Sequence, residues 1–224
     1  QLREVGLDYI DLLMAHFPPP DVSLDETMRA LVDLKKQGKI RYIGVSNVNL
    51  EQLIEFSKAG KVDYVQNRLS FIHRANQDQE FDRYCSEHKI SMIPYQVIER
   101  SQLTSSPRKS TSMREGDLRL KKPEFKNFAE SVISEWLDSQ LKPLAEDSGM
   151  SIEALCLGWA LSQPNVSICA VGMTSIAQVD KNMAMLSKDL PAEILAKLDV
   201  AYKNLNDGLK LLFSTDVDSF RGLL

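Results

Sequence analysis

Asp8-Tyr9-Ile10-Asp11-Leu12-Leu13-Met14-Ala15-His16-Phe17-Pro18 decides how the rest of the chain is read. The stretch begins in alternation, becomes a continuous apolar run and stops at a histidine backed by Pro18, Pro19 and Pro20. A run of that length and content predicts a strand buried on both faces, as in parallel sheets. Proline cannot continue a ladder, so the strand ends there. His16 then stands at a carboxyl end, where parallel α/β folds place their chemistry.

Outward from this strand, helices and strands take turns. Ser23-Leu24-Asp25-Glu26 is a capping box whose helix carries Met28, Leu31 and Leu34 or Lys35 on one face and closes at Gly38. Lys39 to Val45 reads as a second strand. Asn49 with Gln52 opens a helix bearing Leu53, Ile54 and Phe56 and ending near Gly60. Val62 to Leu69 is a third strand, Gln77 to His88 a helix with Phe81, Tyr84 and Cys85 inward, and Ile90 to Tyr95 a fourth strand. From Glu99 to Lys122 the rhythm breaks, around Ser105 to Ser112. Such a stretch reads as unstructured, either a functional lid or a solvated mobile loop. A long helix follows from Pro123, carrying Phe128, Val132, Trp136, Leu137 and Leu141. Ser151 caps another, through Leu155, Trp159 and Leu161, which stops at Gln163-Pro164. Val166 to Val171 is a fifth strand. Ser175 with Gln178 opens a helix, and Pro191 starts the last, with Ile194, Leu195, Leu198 and Ala201 inward.

Alternation of this kind implies an α/β fold with a parallel sheet and right-handed crossovers. The spacing resembles the later units of a (β/α)8 TIM barrel, which takes about 250 residues. Five βα units cannot close one. Gln1 to Gly6 also reads as the final turn of a helix closed by Gly6. The expectation is therefore a fragment, an incomplete barrel with its first three units missing.

Bulk properties narrow the partners. The chain has 224 residues, 43% hydrophobic, with a net charge of −4, enough for a substantial core. The acidic balance and lack of a basic stripe argue against nucleic acid. The apolar runs are too short for a transmembrane helix, so no membrane partner is expected. Cys85, Cys156 and Cys169 are odd in number and scattered, which suggests a reducing, cytoplasmic compartment. Cys85 and His88 have a C-x-x-H spacing, but nothing supplies further ligands, and no metal is expected.

Several segments in order resemble the aldo-keto reductase family. Gly6 to Leu12 followed by His16-Phe17-Pro18 is similar to the family's fourth strand and its catalytic histidine. Gly38-Lys39-Ile40-Arg41-Tyr42-Ile43-Gly44-Val45-Ser46-Asn47 resembles the fifth-strand signature, Val65-Gln66-Asn67 the sixth strand and Ile93-Pro94-Tyr95 the seventh. Val171-Gly172-Met173-Thr174-Ser175 through Asn182 resembles the cofactor-adenosine segment. The resemblance implies an oxidoreductase domain over residues 1–205, a tail over 206–224, and hydride transfer between NADP(H) or NAD(H) and a small carbonyl or sugar substrate. It implies that His16 orients the substrate carbonyl, that Ser46, Asn47 and Gln66 hold the nicotinamide carboxamide, and that Tyr95 stacks on the ring. Gly172, Met173, Thr174, Gln178, Lys181 and Asn182 would contact the adenosine half. Taken alone, His16 reads as a strand-terminal histidine pairing with backbone, Ser46-Asn47 as a helix-entry turn, and Tyr95 as an aromatic packed on a loop. His73 and His88 match no motif and read as surface or helix-face residues.

The chain also departs from the pattern. Gln96-Val97-Ile98 stands where the family usually has Ser-Pro-Leu. The adenosine segment has only Lys181 where the family usually pairs a 2′-phosphate with Lys or Arg, which resembles NAD-tolerant members. The family's catalytic aspartate, tyrosine and lysine belong to earlier strand units, and neither Tyr9 nor Tyr42 has the flanking motif of the proton donor. Taken alone the chain is expected to be inactive. The alternative is a non-catalytic binding or regulatory module, like a channel β subunit or a pseudoenzyme whose open sheet edge needs a partner.

Overall fold

Leu2–Val5 (α1) forms a single helical turn that closes on Gly6 at φ 67°, with the Leu7 N–H donating to the Leu2 carbonyl at 3.2 Å. That six-to-one bond is the Schellman closure a left-handed glycine permits. The computed structural model describes residues 2–74, 79–107, 109–185, 190–205 and 207–214; for Val5, Pro123, Asn127, Lys181, Met185 and 211–214 it describes the backbone alone. Within it the chain forms two compact units.

The first unit comprises residues 1–68, 76–94 and 164–168. Its sheet has four parallel strands in sequence order: Ile10–Ala15 (β1), Ile40–Ser46 (β2), Tyr64–Gln66 (β3) and Ser91–Met92 (β4). Leu24–Lys36 (α2) and Leu50–Ala59 (α3) are the crossovers between the first three. Ser23 Oγ accepts from the Glu26 N–H at 3.1 Å, and Asn49 and Gln52 complete a reciprocal capping box. Gln79–His88 (α4) leads into β4 and buries Phe81 and Cys85; the expected helix start at Gln77 lies outside the described residues. Met28, Ile43, Val45, Leu53, Phe56 and Val65 make a core with almost no exposure.

Two expectations fail here. The strand that opened the reading is half-buried rather than buried on both faces, because among the described residues β1 pairs with β2 alone and lies at the sheet edge. The strand expected at Val166 to Val171 does not form. Two isolated parallel bridges, Met92 to Val166 and Tyr95 to Ala170, stand in its place, and β4 is too short to carry a longer ladder. Around the first bridge Asn165 acts as a clamp. Its carbonyl accepts from Met92 N–H at 2.8 Å, its Nδ2 donates to the Asp82 carbonyl at 2.9 Å, and its Oδ1 accepts from Ser86 Oγ at 3.0 Å.

The second unit comprises residues 69–75, 95–163 and 169–224 and is mostly helical. Asn127–Trp136 (α5) passes through a π-helical turn at Leu137–Leu141 into Lys142–Ser148 (α6), followed by Ile152–Leu161 (α7), Ile176–Met185 (α8), Ala192–Lys203 (α9) and Asp207–Ser214 (α10). Helix α10 occupies the start of the tail. The Trp136 indole N–H donates to the Ala201 carbonyl at 3.0 Å, and Phe71 stacks on Trp136 and meets Trp159 edge-on. Against expectation, Phe128 of α5 faces outward at 77% exposure, and Ile194 and Leu195 are only half-buried.

The stretch from Glu99 to Lys122 is not structureless. It makes 3₁₀ turns at Glu99–Ser101, Ser110–Ser112 and Leu118–Lys121, and Glu99, Gln102, Leu103 and Lys122 are buried. Glu99, Arg100 and Ser101 are all left-handed, at φ 43°, 52° and 79°. Side chains hold this turn: Ser70 Oγ donates to Glu99 Oε1 at 2.5 Å, and Arg100 pairs with Glu124. His73 is also buried, not on the surface. Its N–H donates to Ser70 Oγ at 2.9 Å and its carbonyl accepts from Ser70 N–H at 3.0 Å, which folds residues 70–73 inward.

Candidate functional site

The candidate residues fall into two groups, one in each unit. In the first unit the carboxyl ends of β1, β2 and β3 lie side by side, with Ala15 level with Val45 and Ser46 level with Gln66. His16 follows β1 directly; its ring is exposed and lies 4.5 Å from that of Phe17. Ser46, only 1% exposed, donates from Oγ to the Gln66 carbonyl at 2.8 Å. Asn47 is left-handed at φ 58°, and its N–H donates to the same Gln66 carbonyl at 3.0 Å. Its Nδ2 donates to the His16 carbonyl at 2.8 Å and to Ser46 Oγ at 3.0 Å. One asparagine therefore ties three strand ends together and fixes the peptide that carries the histidine.

Gln66 is half-buried, with its carbonyl holding both Ser46 and Asn47. Asn67, one residue on, was not singled out by sequence reasoning as a site residue. It is buried, its Oδ1 accepts from Val48 N–H at 3.1 Å and its Nδ2 donates to the Val48 carbonyl at 2.7 Å. This two-way clamp fixes the turn entering α3. The signal available was its place in Val65-Gln66-Asn67, directly after an apolar strand.

In the second unit Tyr95 is half-buried; its carbonyl accepts from Leu69 N–H at 3.4 Å. Gly172, Met173, Thr174 and Gln178 are exposed and Asn182 half-buried; the side chain of Lys181 lies outside the described residues. Gln178 Oε1 accepts from Thr174 N–H at 2.7 Å and from Thr174 Oγ1 at 3.2 Å, and Ser175 Oγ accepts from Gln178 N–H at 3.3 Å. A neutral amide oxygen thus occupies donors at the opening of α8 that could equally serve an anionic oxygen. A Cβ placed on Gly172 would meet no atom within 4 Å, so the segment is open beside it.

The first unit thus offers amide groups at strand ends, and the second offers a half-buried ring, backbone donors and open space at a helix start. The thiols are poor nucleophile candidates. Burial pushes Cys85 and Cys169 up to about 12 and Cys156 higher still, so all three stay protonated. Among the described residues no group of three His, Cys, Asp or Glu side chains could hold a metal ion, and no helix is long and apolar enough to cross a membrane.

Residues 1–203 match the Aldo/keto reductase family. The chain belongs to the aldo-keto reductases. It is 31% identical over 192 residues to an Escherichia coli protein named as an NADH-specific methylglyoxal reductase, covering 84% of this chain and 58% of that protein. It is 28% identical over 191 residues to an Arabidopsis thaliana protein named as a probable voltage-gated potassium channel subunit beta, covering 81% of this chain and 58% of that one. Among solved structures, a glycerol dehydrogenase from Gluconobacter oxydans superposes with a TM-score of 0.79 at 25% identity, covering 97% of this chain and 63% of its own. This aldo-keto reductase chain therefore spans less than two thirds of the length of these relatives.

Proposed function

We propose that this chain carries the carbonyl-orienting and cofactor-holding part of an NAD(P)(H)-dependent oxidoreductase acting on a small aldehyde, ketone or sugar alcohol. The observation that carries the reading is the Asn47 tie, which presents His16 at the joined ends of three parallel strands. In this reading His16 hydrogen-bonds the substrate carbonyl; Ser46, Asn47 and Gln66 frame the carboxamide; Tyr95 covers the ring face. Gly172, Met173, Thr174, Gln178, Lys181 and Asn182 take the adenosine side. The bound nicotinamide supplies or accepts the hydride. We place the enzymatic domain at residues 1–205, as later units of a (β/α)8 barrel whose first three units the chain does not include. The edge position of β1 and the share of the relatives' length covered support that. A reducing, cytoplasmic setting belongs to the same reading, supported by three free cysteines.

The chain alone would lack the family's aspartate, tyrosine and lysine. The test follows NADH or NADPH oxidation with methylglyoxal and para-nitrobenzaldehyde, for the 224-residue protein and for a version extended by its upstream coding sequence. Turnover only by the extended protein, reduced about a hundredfold by His16→Ala, is the expected result. Equal turnover by both, or indifference to the substitution, would sink the reading. The channel-subunit relative favours a second reading, a binding module. Nucleotide binding by the extended protein without turnover would mark that one.

A further inference from the structure

We propose that Asn67 is a positioning residue for the nicotinamide, acting on it through Val48 and Asn47. The inference rests on the reading just given, in which Ser46, Asn47 and Gln66 frame the carboxamide, and it lies wholly within the first unit. The pairing of β2 with β3 ends at Ser46 and Gln66. Just beyond it, the side chain of Asn67 takes both backbone groups of Val48, and the two residues are 1% and 2% exposed. Val48 N–H donates to Asn67 Oδ1 at 3.1 Å, and Asn67 Nδ2 donates to the Val48 carbonyl at 2.7 Å. A primary amide carries the same donor and acceptor as a peptide. The side chain therefore continues the ladder past the point where the strand pairing stops.

Asn47 needs that anchor. It is left-handed at φ 58°, a conformation that residues other than glycine keep only where their surroundings over-determine it. On one side Ser46 is held by the ladder and by its Oγ bond to the Gln66 carbonyl; on the other Val48 is held by Asn67. Between two fixed neighbours the Asn47 side chain is aimed, and its Nδ2 meets the His16 carbonyl at 2.8 Å and Ser46 Oγ at 3.0 Å. Release of Val48 lets Asn47 relax toward negative φ and draws its amide away from the histidine peptide and the carboxamide. A misplacement of about 1 Å at a reacting centre can cost about a hundredfold in rate. Asn49 supplies the contrast. It caps the same helix, α3, but its exposed side chain accepts from Gln52 N–H at 2.8 Å, within the helix, and leaves the hold on Val48 to Asn67.

The test uses the protein extended by its upstream coding sequence, with NADH and ADP-ribose as probes in calorimetry, alongside turnover of methylglyoxal. ADP-ribose lacks the nicotinamide, so it reports the adenosine side and the fold without the carboxamide. Asn67→Ala is expected to weaken NADH about fivefold, leave ADP-ribose within about twofold, and lower kcat about tenfold. Added to Asn47→Ala it should change little further, because the two act along one path. Asn49→Ala should lower the urea midpoint yet leave the NADH to ADP-ribose ratio and kcat within about twofold. If far-UV circular dichroism shows that Asn67→Ala does not fold, Asn67→Asp, which keeps an acceptor for the Val48 N–H, decides in its place. Failure of both to fold marks a folding residue and overturns the proposal. An unchanged ratio in the Asn67 variant, the same losses in Asn49→Ala, or full additivity with Asn47→Ala also overturns it, in each case with the parent still binding NADH. A parent that binds no NADH overturns the underlying reading, and the proposal with it.

Discussion

Arg74 shows how much one side chain can organise. Its guanidinium carbon lies 3.6 Å from the centroid of the Tyr202 ring, 4.5 Å from that of Trp159 and 5.1 Å from that of Phe71, and one nitrogen reaches Asp199 at 3.7 Å. Burial lowers its pKa, opposed by Tyr202 and Asp199. A planar, weakly hydrated cation suits such a box; an ammonium does not. Arg74→Lys should therefore cost about 1–2 kcal/mol, read as a lower urea midpoint at unchanged slope. Asp63 is the counterpart in the first unit. Its Oδ2 accepts from Ile43 N–H at 3.0 Å and from Lys35 Nζ at 3.0 Å, and its Oδ1 lies 3.2 Å from Lys61 Nζ. Burial works to raise its pKa, but the Ile43 N–H and the two ammonium groups together hold it below the usual carboxylate value. A depressed folded pKa means its stabilisation is fully present above the ordinary value of about 4 and lost as pH falls through the folded one. Asp63→Asn should lower the urea midpoint at neutral pH and flatten the loss of stability below about pH 4. None of this was legible beforehand, because Arg74 and Asp63 look like ordinary polar residues until distant segments surround them.

At the scale of elements, local chemistry was readable wherever it was local. Ser23, Asn49 and Ser151 were identified as caps from their neighbours, and each accepts the expected backbone N–H. What failed depended on neighbours in space. The opening strand was read from its apolar run, yet burial is set by how many strands flank it. The 99–122 stretch looked polar throughout, while its buried root is held by Ser70 and Glu124, outside that stretch. Among the candidate site residues, strand ends could be read, but the direction of Asn47's hydrogen bonds could not. Helix packing gives a sharper test. A Cβ on Gly60 would stand 2.5 Å from Val32 Cγ2, where α3 ends against α2. Valine is stiff at χ1 and cannot swing away cheaply. Gly60→Ala should cost about 1–3 kcal/mol by denaturation.

For the whole molecule, connectivity matters as much as contact. The chain passes between its two units after residues 68, 75, 94, 163 and 168. The first unit needs residues 164–168, because Asn165 holds Met92, Ser86 and the Asp82 carbonyl. A fragment ending at residue 94 should therefore lose the cooperative transition of the intact protein in urea, monitored by circular dichroism; a transition as sharp and as stable as the parent's would contradict this. The same threading sets a timetable for synthesis. During translation residues 1–94 emerge well before Asn165 leaves the ribosome, since chains grow at roughly 5–20 residues per second. For several seconds the nascent sheet must wait, its last strand unclamped. That delay is a kinetic exposure which the stability of the finished fold does not report.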